Sequence, residues 1–326
     1  MKKWLTSFIL LMGLTLGFVW WLNVARYDLL EGDYSNSPAS MDVGSAGDVE
    51  LTIVYDNNPY DPRLKAAWGF ACYVNTGEAG ILFDTGGDPN ILFDNMEKLN
   101  IDVAEIQIIV ISHIHGDHVG GLFKILEKNN CVDVYVPASF PRDFKSKVKE
   151  FGCKLVEVHE PVKICEGVLS TGELGSGIRE QSLIINSSEE LIVVTGCAHP
   201  GIVTVVEKAV ELTGGDVYLV IGGFHLGGSS RQEIEGIVER FESLNVEKVA
   251  PCHCSGDLAR RIFKDFFNSN YIESGVGRSV TIKMPPADCQ KMGSVKWQCR
   301  IQMYAEPSLV GCTGVQNANL TMDTNR

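Results

Sequence analysis

The chain has 326 residues, 45% of them apolar, and carries 41 acidic against 28 basic side chains for a formal net charge of −13. That length and apolar content suffice for one large core, and the acidic balance, with no Lys/Arg cluster able to track a phosphate backbone, argues against nucleic acid as a partner. Ten cysteines in a chain this long do not make a disulfide-dense scaffold.

Met1-Lys2-Lys3 precedes Trp4–Ala25, 22 residues without a charge, enough to cross a bilayer core as a helix. A cleaved signal peptide is the competing reading. The run is longer than the usual signal-peptide core, no small-x-small cleavage site precedes Arg26, and Trp20-Trp21 resemble an interfacial aromatic belt, all of which favour an uncleaved membrane anchor. Lys2 and Lys3 before the run, and Asp28, Glu31 and Asp33 after it, orient the rest of the chain outside the cytoplasm. If cleaved, the chain is secreted. Residues 26–49, with Gly, Ser, Asn and Pro38 and no hydrophobic periodicity, read as a linker.

The globular part is expected over 50–284. Leu51–Tyr55, Trp68–Val74 and Ile81–Phe83 read as strands, the last two joined by a turn at Asn75-Thr76-Gly77, with Asp84 at the third strand's end. Pro89–Leu99 places Ile91, Leu92, Met96 and Leu99 on one helical face, with Pro89 near its start. Ile108–Ile111 is a β-branched run typical of a strand buried on both faces. It ends in a polar turn carrying His113, His115, Asp117 and His118. These four potential ligands fall within six residues. His113 and His115, two apart, can point the same way from extended backbone while Asp117 and His118 turn to a neighbouring point, which suggests two adjacent metal sites. The next helix, Val119–Lys128, opens at Gly120-Gly121, so its free N–H groups are expected to face the site and favour a hydroxide or an anionic group.

Val132–Val136 reads as a strand, Phe144–Phe151 as a helix and Leu155–Val158 as a strand. His159, beside Glu160-Pro161, reads as a structural or surface residue. Leu191–Val194 is a second buried strand, ending at Thr195-Gly196-Cys197-Ala198-His199. After an amphipathic helix over 201–213, strand Val217–Ile221 ends at Gly222-Gly223-Phe224-His225. A helix over Arg231–Leu244 leads to strand Val246–Ala250, which ends at Pro251-Cys252-His253-Cys254. Asp257–Phe267 is an amphipathic helix with Leu258, Ile262 and Phe266 inward, and Gly277–Met284 closes the domain as a strand. Six of the seven histidines thus gather at strand ends, where open α/β sheets collect ligands. A zinc finger at Cys252-x-Cys254 is disfavoured by the one-residue spacing and the lack of a second pair. Residues 285–326 form an irregular tail containing Cys289, Cys299 and Cys312. Sequons at Asn186 and Asn319 matter only in a glycosylating compartment.

His113-x-His115-x-Asp117-His118 resembles the signature of the metallo-β-lactamase-fold hydrolases. Phe83-Asp84-Thr85-Gly86, the stretch Thr195 to Gly201, Gly222-Gly223-Phe224-His225-Leu226 and Pro251-Cys252-His253-Cys254-Ser255-Gly256 resemble one subgroup. It takes its name from 7,8-dihydropterin-6-methyl-4-(β-D-ribofuranosyl)-aminobenzene-5′-phosphate synthase. The resemblance implies an α/β fold, a four-layer αββα sandwich with its metal site along one edge. It also implies two divalent ions, zinc first with manganese or iron as alternatives, and a small-molecule substrate, phosphorylated or pterin-like. By the same resemblance Asp84 supports the ligands from behind. His199 completes a three-histidine set with His113 and His115, and His253 joins Asp117 and His118 around the second ion. Asp117 orients or ligates in catalysis, and His225 contacts substrate or exchanges protons, with the roles of His225 and His253 left open to exchange. Cys197 stands where many relatives carry a bridging aspartate; a thiolate there would ligate and would favour zinc. The usual third-histidine motif would fall near Ile178–Ser182, where Glu180 is the sole anion. The implied reaction is hydrolysis or transfer at a phosphoester or diphosphate, the subgroup's name pointing to a pterin diphosphate. A small-ester hydrolase is the alternative. A non-catalytic metal- or redox-sensing protein built on Cys197, Cys252 and Cys254 is the rival from another class.

Overall fold

A computed structural model describes residues 41–187, 190–283, 289–292 and 296–299. Trp4–Ala25, residues 26–40, Cys312 and Asn319 lie outside the described residues. Among those described, no helix is long and apolar enough to cross a membrane.

Seven strands form the first sheet. Strands β1 (Val49–Tyr55), β2 (Ala71–Asn75) and β3 (Gly80–Phe83) run antiparallel in sequence; β4 (Ile108–Val110), β5 (Asp133–Pro137) and β6 (Lys154–Val158) then continue parallel from β3. The second sheet begins with β7 (Val162–Cys165), β8 (Val168–Ser170) and β9 (Leu183–Ser187), which pair antiparallel, as do β9 and β10 (Glu190–Thr195). Strands β11 (Val217–Gly223) and β12 (Lys248–Cys252) then extend it parallel from β10. β13 (Ser279–Ile282) returns to the first sheet beside β1.

The sheets share one apolar core. Ile53, Phe83 and Val110 of the first meet Leu183, Ile192 and Leu219 of the second. The opposite face of the first sheet is covered by α1 (Pro89–Lys98), α3 (Leu122–Lys128) and α4 (Arg142–Glu150), which contribute Leu92, Met96, Ile125, Leu126 and Val148 to a second core. A single short turn of helix, α2 (Gly116–Val119), precedes α3. Helices α5 (Ile202–Thr213), α6 (Arg231–Ser243) and α7 (Asp257–Phe267) cover the second sheet. The layers are therefore α, β, β and α. Buried β-branched side chains on both faces of the inner strands explain why these runs read as continuous rather than alternating.

Several details depart from the sequence reading. Strands β7, β8 and β9 fall outside that reading; β7 and β8, of four and three residues, are too short for periodicity to register, and β9 has five. Val43 and Ala46, within the expected linker, are buried, and Ala46 N–H donates to Asn186 O at 2.8 Å. Asn186 itself, the amide of one sequon, donates to Gly44 O at 2.5 Å. On α7 the inward residues are Ala259, Ile262, Phe263 and Phe267, while Phe266 is exposed, so the inward stripe lies one position from the expected one. In the tail, Cys289–Met292 and Lys296–Cys299 pair antiparallel, with Cys289 opposite Cys299.

Gly120 and Gly121 do not present free N–H groups to the site. Gly120 donates to Gly86 O at 2.8 Å and Gly121 to Thr85 O at 3.2 Å. They are glycines because the two segments touch: a Cβ on Gly120 would lie 2.3 Å from Gly87 O. The pair thus clamps the loop after β3, and with it Asp84, against the histidine turn.

Candidate metal centre

Each strand carboxyl end along one edge of the sandwich delivers one part of the site. Asp84 follows β3, Ser112 to His118 follow β4, Cys197 and His199 follow β10, His225 follows β11 and His253 follows β12. Asp84, Ala198, His225 and His253 all have positive φ, between 46° and 61°. The other described non-glycine residues with positive φ are asparagines, which tolerate that region. Ala198 has no such aptitude, so the turn must be held by its contacts.

The histidine rings are anchored from outside. His118 Nδ1 lies 2.7 Å from Asp84 Oδ2. His113 Nδ1 lies 2.8 Å from Ser112 Oγ, which donates to Asp84 Oδ2 at 2.7 Å, and Ser112 N–H donates to Asp84 Oδ1 at 2.7 Å. His199 Nδ1 lies 2.8 Å from Glu180 Oε2, and His253 Nδ1 lies 2.9 Å from Asn57 Oδ1. Four rings therefore carry the Nδ1 proton outward, which leaves Nε2 bare on the inner side. His115 turns the other way, its Nδ1 3.0 Å from His113 Nε2.

These inner atoms form two groups. The donor atoms of His113, His115 and His199 lie within 4.8 Å of one another, and so do those of Asp117, His118 and His253. Cys197 Sγ lies 3.3 Å from His118 Nε2 and joins His113 and His118 in a further group. His253 Nε2 is buried and without a hydrogen-bond partner, although Asp117 Oδ2 is 3.4 Å away. A bare buried imidazole nitrogen aimed at a carboxylate and a second imidazole fits a metal ligand better than a satisfied core histidine.

Electrostatics keep His113 and His118 neutral, whereas at His253 the Asp117 carboxylate outweighs burial and raises the ring. Burial pushes His113 and His118 down to about 3. Burial pushes Asp84 up to about 7, against the pull of His113 and the Ser112 hydrogen bonds. Burial also acts to raise Glu180, but the hydrogen bond from His199 and the charge of His113 outweigh it and bring the carboxyl down to about 2. Asp117 lies below its usual range because the neighbouring imidazoles of His253 and His118 outweigh partial burial.

Sequence reading left several supporting residues without a role. Glu180, noted as the anion where a histidine was expected, is fully buried and holds the whole Cys197–His199 turn. Its Oε1 accepts from Cys197 N–H at 2.7 Å and Ala198 N–H at 2.9 Å, and its Oε2 from His199 N–H at 2.9 Å. His199, at the end of β10, is thereby held where its ring groups with His113 and His115. Ser112 and the Asp56-Asn57 turn after β1 were also missed; Asp56 Oδ2 accepts the His253 N–H at 3.0 Å. An Asp-Asn pair directly after a strand was the available signal. Phe224, packed 5.5 Å from Phe263 and 6.0 Å from Phe241, fixes the turn that carries His225. The His225 ring lies 4.4 Å from that of His199 and is exposed. His159 stands apart from the cluster, near Glu173.

The family profile described as Metallo-beta-lactamase superfamily matches residues 69–253. The chain belongs to the metallo-β-lactamase superfamily. Within it, the chain is 26% identical over 290 residues to a 7,8-dihydropterin-6-methyl-4-(β-D-ribofuranosyl)-aminobenzene-5′-phosphate synthase of Methanocaldococcus jannaschii, covering 74% of this chain and 99% of that one. An uncharacterized protein of the same organism is 27% identical over 71% of this chain and all of its own length. Among solved structures, a metal-dependent hydrolase of the β-lactamase superfamily matches with TM-score 0.61 at 26% identity, covering 72% of this chain and 100% of that one. The metallo-β-lactamase-fold protein YhfI of Bacillus subtilis matches with TM-score 0.56 at 12% identity over 72% and 99%, a likeness of fold.

Proposed function

We propose that this member of the superfamily is a dinuclear metal-dependent hydrolase or transferase acting at a phosphoester or diphosphate of a small planar substrate. The observation that carries the reading is the pair of facing donor groups, His113/His115/His199 and Asp117/His118/His253, with four of the rings held through Nδ1. Zinc fits the nitrogen-rich donors with Cys197 beside them, and manganese or iron would be the harder alternatives. When bound, the ions would polarise a substrate oxygen and acidify a water near neutral pH. Asp117 would orient the attacking water. His225, exposed at the mouth, would contact the leaving group of the substrate.

A planar substrate is supported by Trp68, 61% exposed with its ring 5.0 Å from that of His253. An indole left in solvent beside a reaction centre offers a face on which a pterin-like ring stacks. Trp68→Ala should raise KM several-fold with little change in kcat, as steady-state kinetics would show; a fall in kcat at constant KM would remove the stacking role. The likeness to the pterin-pathway synthase makes a pterin diphosphate with a ribosylaminobenzene phosphate the first assay, followed by simple phosphodiesters. Chelation should abolish turnover and added zinc, manganese or iron should restore it. Turnover indifferent to chelator would overturn the reading.

The uncharged run Trp4–Ala25 favours a second reading, a small-ester or phosphoester hydrolase anchored with its catalytic domain outside the cytoplasm, away from a cytosolic synthesis pathway. Protease added to intact cells should then cleave the domain. Protection until the membrane is broken would place it inside.

A further inference from the structure

One flank of the site carries donors that the two histidine groups leave unused. Cys197 follows β10, His225 follows β11 and Cys254 follows β12, three adjacent parallel strands. The two sulfurs and one ring nitrogen of His225 lie within 4.8 Å of one another. The middle strand makes room for this meeting at Gly223. A Cβ there would lie 2.3 Å from Gly196 O, 2.8 Å from Cys254 Sγ and 3.2 Å from Cys197 Cα. The backbone at His225 is turned to φ 54°, which places the ring over the mouth instead of along the strand.

Tetrahedral zinc with bonds of about 2.3 Å to sulfur and about 2.0 Å to nitrogen separates its donors by roughly 3.3–3.8 Å. The observed grouping accommodates that spacing. We propose that Cys197, His225 and Cys254 form a third metal position, thiolate-rich and selective for a thiophilic divalent ion such as zinc or cadmium. Binding releases the two thiol protons, and both sulfurs become ligands without oxidation. Exposed His225 leaves the fourth coordination position toward solvent, the arrangement of a site that exchanges ligand or metal rather than one sealed for structure. Cys197, 3.3 Å from His118 Nε2, belongs to both neighbourhoods. Its sulfur thus links the soft position to the histidine–carboxylate pair, and hard ions such as magnesium are excluded from the soft one by donor type.

The test is a cobalt(II) titration of the full chain, reduced and first stripped of metal, followed by elemental analysis and by sulfur-to-cobalt charge-transfer absorption. Cys254→Ser should bind one ion fewer than wild type and lose the charge-transfer band that this ion contributes. His225→Ala, on an exposed side chain, should also bind one ion fewer. Either variant binding as many ions as wild type overturns the site. His113→Ala reads the histidine groups separately: it should lower the count while leaving the charge-transfer band, so failure of the dinuclear reading and failure of this one are told apart.

Discussion

Asp84→Asn is expected to leave the chain folded and to strip the His118 side of the centre. Asp84 accepts three short hydrogen bonds, from Ser112 N–H, Ser112 Oγ–H and His118 Nδ1–H, all at 2.7 Å. An asparagine keeps one acceptor oxygen and replaces the other with an NH2 donor. If that NH2 faces His118, Nδ1 must become the acceptor, and the proton moves to Nε2, the atom that points at Cys197 and Asp117. If it faces Ser112 N–H, two donors meet and the loop after β4 shifts. Asparagine tolerates the positive φ at this position, so the backbone has no reason to collapse. Loss of such a supporting partner typically weakens metal affinity by about 10–100-fold. Elemental analysis should find one ion fewer per chain, turnover should fall at least as far, and circular dichroism should match wild type. Unchanged metal content would show that Asp84 does not set the tautomer of His118.

How much of this was legible in the sequence depended on the range of the interaction. The histidine turn after β4 could be read because all its donors lie within six residues and follow an uninterrupted apolar run. The clustering of His199, His225 and His253 could be read because each follows a strand, and parallel strands bring their carboxyl ends to one edge. Their anchors could not. Asn57 and His253 are 196 positions apart, and only the pairing of β1 with its neighbours and the return of the chain from β12 bring them together. Gly120-Gly121 misled for a related reason. A glycine pair opening a helix has the same local signature whether its N–H groups face a ligand or another loop, and here the loop at Thr85-Gly86 takes them. On α7 the helical period was right, but choosing which of two overlapping stripes turns inward needs the neighbouring Phe224 and Phe241, which sequence periodicity does not supply.

Glu180→Gln should be the most damaging single-atom change in the molecule. Both carboxylate oxygens are used twice: Oε1 by the N–H groups of Cys197 and Ala198, Oε2 by the N–H and Nδ1 of His199. All four partners are donors, so a side-chain amide can satisfy only the two that meet its oxygen. Its NH2 faces the N–H groups of Cys197 and Ala198 in one orientation and, in the other, the His199 N–H together with the ring, which can meet it only by moving its proton from Nδ1 to Nε2. Each buried group so stranded costs about 1–3 kcal/mol, and hydrogen bonds to a charged acceptor lie toward the upper end. The turn also loses what holds Ala198 at φ 58°, a conformation costing about 1–3 kcal/mol where contacts do not enforce it. A destabilisation of about 3–5 kcal/mol is therefore expected in denaturant unfolding, a large part of the margin of a typical domain. Relaxation of the turn would swing His199 away from His113 and His115, so the surviving folded fraction should also bind less metal. Glu180→Ala separates the two effects, because water can enter the space and reach the stranded N–H groups while the His199 ring still loses its anchor. Stability should be partly recovered in that variant and metal binding should not. If both variants keep wild-type stability and metal content, Glu180 does not organise the Cys197–His199 turn, and the strain at Ala198 must be offset by packing alone.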